Sequence, residues 1–315
     1  MISFLLRKLP SVAVVALISS AIAFILPRLA PGDPALAIAG SDATPEQLAA
    51  VREQMGLSKP LIQQYLDWMF GMFRGDFGQS FIMRRPVTTV IGSRLESTLE
   101  LAFLAMLLMI AIGLVLGVLA GSPRSKWARV VLDIMTTLFL ATPPFLTGLL
   151  LILFLGIFFP ILPISGEVGF FEDPWLALQF LILPALALAL PQAAIVARLL
   201  QTAMNSARGE DYVDLAKAKG VSPGRITWRH VLRNSLGTAV VALGLRAGDL
   251  LAGAIVIEAI FARNGLGSLA VYSVQSRDYM VLQVLILGAV ILAVFIQLFS
   301  EIILAALDPR IRLES

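Results

Sequence analysis

Apolar and polar positions along this chain segregate on a scale far longer than the period of a soluble helix or strand. Six predominantly apolar runs stand out: Leu9 to Leu29, Thr98 to Ala120, Val130 to Phe159, Leu176 to Leu200, Leu236 to Ile260 and Met280 to Leu307. A helix of about 20 apolar residues crosses the hydrocarbon layer of a bilayer. The pattern therefore predicts an all-α, polytopic membrane protein with six transmembrane helices. The polar segments between the runs divide the chain into an N-terminus with the first helix (1–30), an external loop with amphipathic helices (31–97), a five-helix core (98–307) holding a polar loop at 201–235, and a tail (308–315).

The first run could be read as a cleaved signal peptide, because Arg7 and Lys8 precede it. It continues to Leu29 with Pro27 and Arg28 late in the run, and an uncleaved anchor is the better reading. Orientation follows from Lys and Arg in the short loops, which resist export. Arg7 and Lys8, then Arg124, Lys126 and Arg129, then Arg208, Lys217, Lys219, Arg225, Arg229 and Arg233, then Arg310 and Arg312 share one side of a six-span path. The opposite short loops carry Arg263 and Arg277, and the loop near Ile161 to Pro174 bears Glu167, Glu172 and Asp173 without Lys or Arg. Both termini are expected in the cytoplasm.

Within 31–97, Thr44-Pro45 with Gln47 three residues on reads as a capped helix start, and Gly56 as its stop. Leu61, Tyr65, Trp68, Met69 and Met72 follow at helical spacing. A second helix is expected there, packed on the outer ends of the spans.

Composition agrees with a lipid environment. Hydrophobic residues make up 58% of the 315 and charged residues 14%, with a mean hydropathy of +0.88. Too few polar side chains are present to cover a water-soluble fold. The formal charge of +3 is explained by cytoplasmic anchoring, not by nucleic acid. Cysteine is absent, which removes disulfides and thiolate chemistry.

The most informative polar stretch runs from Glu210 through Asp211, Tyr212, Asp214, Ala216, Ala218 and Gly220 to Trp228, Arg229, His230 and Asn234. Ala216 and Ala218 favour a helix, Gly220 can end it in a left-handed conformation, and Ser222-Pro223 opens the next turn. A short helix lying across a loop can seat in a groove of a partner, although composition alone also allows an ordinary basic loop. Here the residues resemble a known family. Asp214, Ala216 and Gly220 stand where permease subunits of bacterial ATP-binding-cassette importers carry an "EAA…G" loop, with Asp for Glu and Leu215 for the first Ala.

The resemblance extends to Arg28-Leu29-Ala30-Pro31-Gly32-Asp33-Pro34-Ala35, to Arg74-Gly75-Asp76-Phe77-Gly78-Gln79-Ser80, to Arg277-Asp278-Tyr279 and to Leu307-Asp308-Pro309-Arg310. Together these are similar to the dipeptide, oligopeptide and nickel permease subfamily over nearly the whole chain. Gly237-Thr238 departs from it, where the family usually shows Pro soon after Asn234. The resemblance implies a type I importer permease fold in a bacterial inner membrane. Its implied partners are a second homologous permease, two cytoplasmic ATPases and an external substrate-binding protein. ATP and Mg would be bound by the ATPases, while this chain carries no cofactor, metal or catalytic site. The loop from Asp211 to Asn234 would dock on an ATPase. Consistently, no Gly-rich loop ending in Lys and Ser or Thr occurs here.

Polar residues inside the runs are the other signal, because charge at mid-membrane is costly. Arg246 and Asp249 lie three apart on one face of the fifth run, able to neutralise each other or to line a pathway, and Glu258 lies nearer its outer end. Glu100, Asp133 and Glu301 fall near span ends. Gly113, Gly117 and Gly121 form a small-residue ridge on the second run, while Pro143-Pro144, Pro184 and Pro191 are expected to break the third and fourth. An intramembrane protease is disfavoured, since the only histidine, His230, falls in the basic loop. An ion-coupled secondary transporter using Arg246 and Asp249 is the stronger alternative, but it lacks the expected inverted repeat and leaves the loop motif unexplained.

Overall fold

The computed structural model of the protein describes residues 2–29, 33–40, 42–122 and 126–307. Its elements, in order, are α1 (Ile2–Leu29), α2 (Pro34–Ala39), α3 (Pro45–Gln54), α4 (Leu61–Phe73), β1 (Gln79–Ser80), β2 (Arg85–Pro86), α5 (Val87–Gly121), α6 (Lys126–Ala141) and α7 (Pro144–Leu151) with a π-helical end at Ile152–Phe158. There follow α8 (Pro174–Arg208), α9 (Asp211–Ala218), the turn α10 (Pro223–Arg225) with a π-helical segment at Ile226–Val231, α11 (Leu232–Ile260), α12 (Leu266–Ser276) and α13 (Tyr279–Leu307).

Among the described residues, five helices are long and apolar enough to cross a membrane. The expected third span differs. It is a pair of helices, α6 and α7, bent by 110° at their junction, and counts as a sixth span only if the pair is taken together. The cause is local: Pro143, in an extended conformation, and Pro144, at the first position of α7, supply no N–H to continue α6. Pro184 and Pro191, expected to break the fourth span, do not: α8 runs unbroken through both. Both prolines are buried in a helix walled by neighbours, where tertiary packing outweighs the missing backbone bonds. The second span begins eleven residues early, at Val87 instead of Thr98, and α12 is an element the apolar pattern left unread.

By contacts the chain forms two compact units, Met1–Glu96 with Asn264–Val294, and Ser97–Arg263 with Phe295–Ser315. In the first, Asp33 caps α2 by accepting from the Ala35 N–H at 2.9 Å. Thr44 and Gln47 form the expected capping box on α3. α4 packs on α1 through Phe24, Tyr65 and Trp68, with Leu287 beside them, and the Phe24 and Tyr65 rings meet edge-on at 5.4 Å. β1 and β2 pair antiparallel, and a second cluster joins Val87, Val90, Leu269 and Val281.

In the second unit α8 is the centre, packed by α6, α7 and α11. Its core side chains, Leu181, Leu183, Ala187 and Leu188, meet Leu101 and Met109 of α5 and Leu250, Ile257 and Phe261 at the α11 end. The glycine ridge explains how α5 approaches. A Cβ added at Gly117 would stand 2.9 Å from the Leu200 side chain and 3.0 Å from the Ala197 carbonyl oxygen. Gly113 and Gly121 face Val196 and Met204 in the same way. Small residues let two backbones close to a distance that dispersion can exploit without a hydrophobic drive.

Candidate coupling surface and buried charge network

The segment after α8 folds because its apolar residues fall on one face. In α9, Val213 and Ala216 are buried, joining Leu200, Met204, Ile226, Val231 and Ala239 in one cluster, with Tyr212 and Val221 at its edge. Glu210 precedes the helix, and Gly220 ends it at φ +72, the left-handed conformation expected of it. Arg208 ties the base together. Its Nε and Nη2 donate to the Gly121 carbonyl at 3.0 and 2.8 Å, and Nη2 reaches Thr227 Oγ1 at 3.3 Å.

The remaining residues of the segment point outward. Asp211, Asp214, Ala218, Gly220, Arg229 and Asn234 are exposed, and His230 and Tyr212 half-buried. Asp214 accepts from Lys217 at 2.8 Å, a surface pair of little stabilising value. Two large apolar side chains are exposed with them, Leu215 at 57% and Trp228 at 65%. The periodicity that buries Val213 and Ala216 leaves Leu215 outside, a signal present in the sequence once the helix face is known. A rigid base presenting exposed apolar and charged side chains has the form of a docking surface.

Along α11, Arg246 Nη1 lies 2.7 Å from Asp249 Oδ2, with both side chains partly exposed. Glu258 is nine residues further on, about 13 Å along a helix, and is not part of that pair. It is fully buried and accepts from Thr98 Oγ1 at 2.6 Å.

A second enclosed charge belongs to Arg263, which the sequence presents only as a loop cation. Its Nη2 lies 3.1 Å from Ser97 Oγ, 3.4 Å from Glu100 Oε2 and 3.6 Å from Glu167 Oε2. Ser97 donates to Glu167 at 2.6 Å, the Phe170 N–H to Glu100 at 2.9 Å, and the Gly166 N–H to the Phe261 carbonyl at 2.9 Å. Burial pushes the Arg263 guanidinium below its ordinary value, opposed by Glu167, Glu100 and Glu258. The network fastens the loop 161–173 to Ser97 and Glu100 in the first half of α5 and to the residues that follow α11. Glu100, near a span end in the sequence, anchors that loop by accepting the Phe170 N–H.

Two segments quoted for the resemblance also meet. Ser80 donates to Asp278, which accepts the Val281 N–H at 3.4 Å. Burial raises the Asp278 carboxyl, and the Ser80 hydroxyl works against that shift. Residues 30–32 and 308–310 of the other segments lie outside the described residues, and so does the tail 308–315.

The family described as "binding-protein-dependent transport system inner membrane component" matches residues 113–313, and its N-terminal companion domain matches residues 1–102. The chain is similar to a peptide transport system permease protein of Brucella abortus, 34% identical over 99% of both chains. It is 35% identical, again over 99% of both, to the glutathione transport system permease protein GsiC of Salmonella choleraesuis. Among solved structures, the inward-facing MetNI methionine ABC transporter matches with a TM-score of 0.57 at 19% identity, covering 70% of this chain and 96% of that one. An amino acid ABC transporter solved with histidines matches at 0.53 and 18%, covering 71% and 94%. At these identities the structural matches speak for the fold alone, that of a type I importer permease.

Proposed function

The chain belongs to the family of binding-protein-dependent transport system inner membrane components, and from that premise we propose that it forms half of the translocation pathway of an ATP-driven importer for peptides or a related small solute. A second homologous permease completes the pathway. Two cytoplasmic ATPases bind ATP and Mg and carry out hydrolysis, and an external binding protein delivers the solute. Relatives named for peptide and glutathione transport support the substrate class. The choice among dipeptide, longer peptide and nickel belongs to the binding protein. The ion-coupled alternative has no support in the family.

The observation that carries this reading is α9, a short helix anchored by Val213 and Ala216 that leaves Asp211, Asp214 and Leu215 uncovered. Docked on an ATPase, such a helix transmits closure of the ATPase pair to α8 and α11 through the cluster beneath it, moving the spans between inward-open and outward-open states. In this orientation both termini and the 201–235 loop face the cytoplasm, and the loop 161–173 faces outside, in keeping with the charge asymmetry.

Uptake in vesicles carrying the full importer tests the reading. Asp214→Lys reverses a charge on the exposed face. Gly220→Leu meets no neighbouring atom but strains a left-handed backbone at the helix end. Each variant should insert at normal levels and lose solute uptake while the ATPases still hydrolyse ATP. Normal uptake in both would remove α9 from the mechanism.

A further inference from the structure

α4 has two apolar faces. One is buried against Phe24 and Leu287 through Trp68 and Tyr65. The other carries Ile62, Leu66 and Phe70 at a spacing of four, with Phe73 beyond them, and all four are exposed, Phe73 to 82%. A helix apolar on both faces is at home in a protein core or in lipid, not in water. The amide and charged side chains of α4 lie early: Gln63 is exposed, Gln64 accepts from Arg28 at 3.2 Å and Asp67 from Lys59 at 2.6 Å. From Trp68 to Phe73 no charged or amide side chain occurs.

The depth at which α4 meets α1 decides what covers the free face. Ser20 Oγ and Tyr65 Oη are 2.8 Å apart, and Phe24 contacts both Tyr65 and Trp68. Ser20 and Phe24 precede Leu29, the end of a candidate span, by nine and five residues. At 1.5 Å per residue the contact sits roughly 7 to 14 Å inside that end, within a half-bilayer of hydrocarbon about 15 Å thick. Beside it, in the same compact unit, lies an apolar groove of about 600 Å³ between α1, α4 and α13. Small residues open it: Ala13, Ala16 and Gly288 form its walls, with Met72 and Ile291. The one hydroxyl, on Ser20, already donates to the Leu17 carbonyl at 2.8 Å and pairs with Tyr65. A polar solute would find no partner there and would lose its hydration uncompensated.

We infer that α4 is inset in the leaflet holding the Leu29 end of α1, and that the groove beside it binds an acyl chain of a bilayer phospholipid. The chain has no native cysteine, so a single cysteine is labelled in this subunit before it is assembled with its partners. The full importer would be reconstituted in phosphatidylcholine vesicles with bimane at Phe70→Cys or Met72→Cys. Quenchers are phosphatidylcholine nitroxide-labelled on its acyl chain, and aqueous iodide. Ile18→Cys, on the exposed face of α1, reports bulk lipid. Both α4 probes should be quenched by the labelled lipid and not by iodide. A Cβ at Gly288 meets no atom, so Gly288→Phe should fill the groove and lower lipid quenching at position 72 several-fold while leaving position 70 unchanged; Gly288→Leu serves if the larger residue prevents insertion. Iodide quenching at position 70 would overturn the inference. So would shielding of position 72 from both quenchers in the assembled importer, which would mean that a protein partner fills the groove. Quenching at 72 that ignores both groove-filling variants would overturn it as well. ATPase-dependent uptake, measured on the same vesicles, reports separately on the proposed import function.

Discussion

The spans in α8 and α1 have the same hydropathy, 2.2 in each, yet 67% of the first is buried within the chain and 22% of the second. The difference lies in side-chain size. α8 lines its contacts with Ala185, Ala187, Ala189, Ala193, Ala194 and Ala197, each fully buried, and receives the glycine ridge of α5. α1 instead displays Leu17, Ile18, Ile22 and Leu26. Apolarity makes a segment compatible with lipid, whereas small residues decide where backbones come together, because lipid tails satisfy a leucine as well as a protein core does. The same contrast separates the charges: Arg263 is enclosed, while Arg246 and Asp249 are half open.

Perturbing an enclosed position should therefore cost far more than perturbing an open one. The largest effect is expected at Arg263→Met, which leaves Glu100, Glu167 and Glu258 without their buried cation and should lower stability by about 3 to 5 kcal/mol. Thermal unfolding of the purified subunit measures it, and Glu100→Gln added to the same chain should recover part of the loss. Full stability of the single variant would mean that the network is wet and the contrast false.

Gly117→Ala comes next. The added methyl meets Leu200 and the Ala197 carbonyl at 3.0 Å or less, a crowding expected to cost about 1 to 3 kcal/mol. An unchanged melting temperature would show that α5 and α8 can separate freely.

Where the half-open pair meets the water of the proposed pathway, Arg246→Ala, Asp249→Ala and their double variant should show a coupling of about 0.2 to 1 kcal/mol, the range for solvated pairs. A transport-rate cycle with membrane levels measured in parallel reads it. A coupling of several kcal/mol would place the pair in dry surroundings and join it to the Arg263 class. The smallest change is expected at Ile22→Ala on the open face of α1, within about 0.5 kcal/mol. A loss as large as that at Gly117 would reveal a protein partner on that face.

Much of this architecture was readable in advance. The capping box at Thr44, the stop at Gly220 and the pairing distance of Arg246 and Asp249 are local, set by residues within four positions of one another. The apolar runs mark the spans for the same reason. What escaped reading depends on distant partners. The adjacent Pro143 and Pro144 break the chain by a local cause, whereas the isolated Pro184 and Pro191 leave α8 intact because neighbouring helices wall it in. Glu100 and Arg263 look like ordinary residues at span ends until loop 161–173 folds over them.

By itself, then, the sequence determined the solvent of the chain, the apolar runs able to cross lipid and the helix ends marked by a capping box or a glycine stop. These follow from transfer free energies and backbone chemistry, which act over one helical turn or one bilayer thickness. Only the tertiary structure decided which apolar span becomes the centre, which prolines a helix tolerates, which cation is enclosed and which face of α4 is left uncovered. Each of those depends on what stands opposite a residue in space, and packing between helices far apart in sequence carries no local mark.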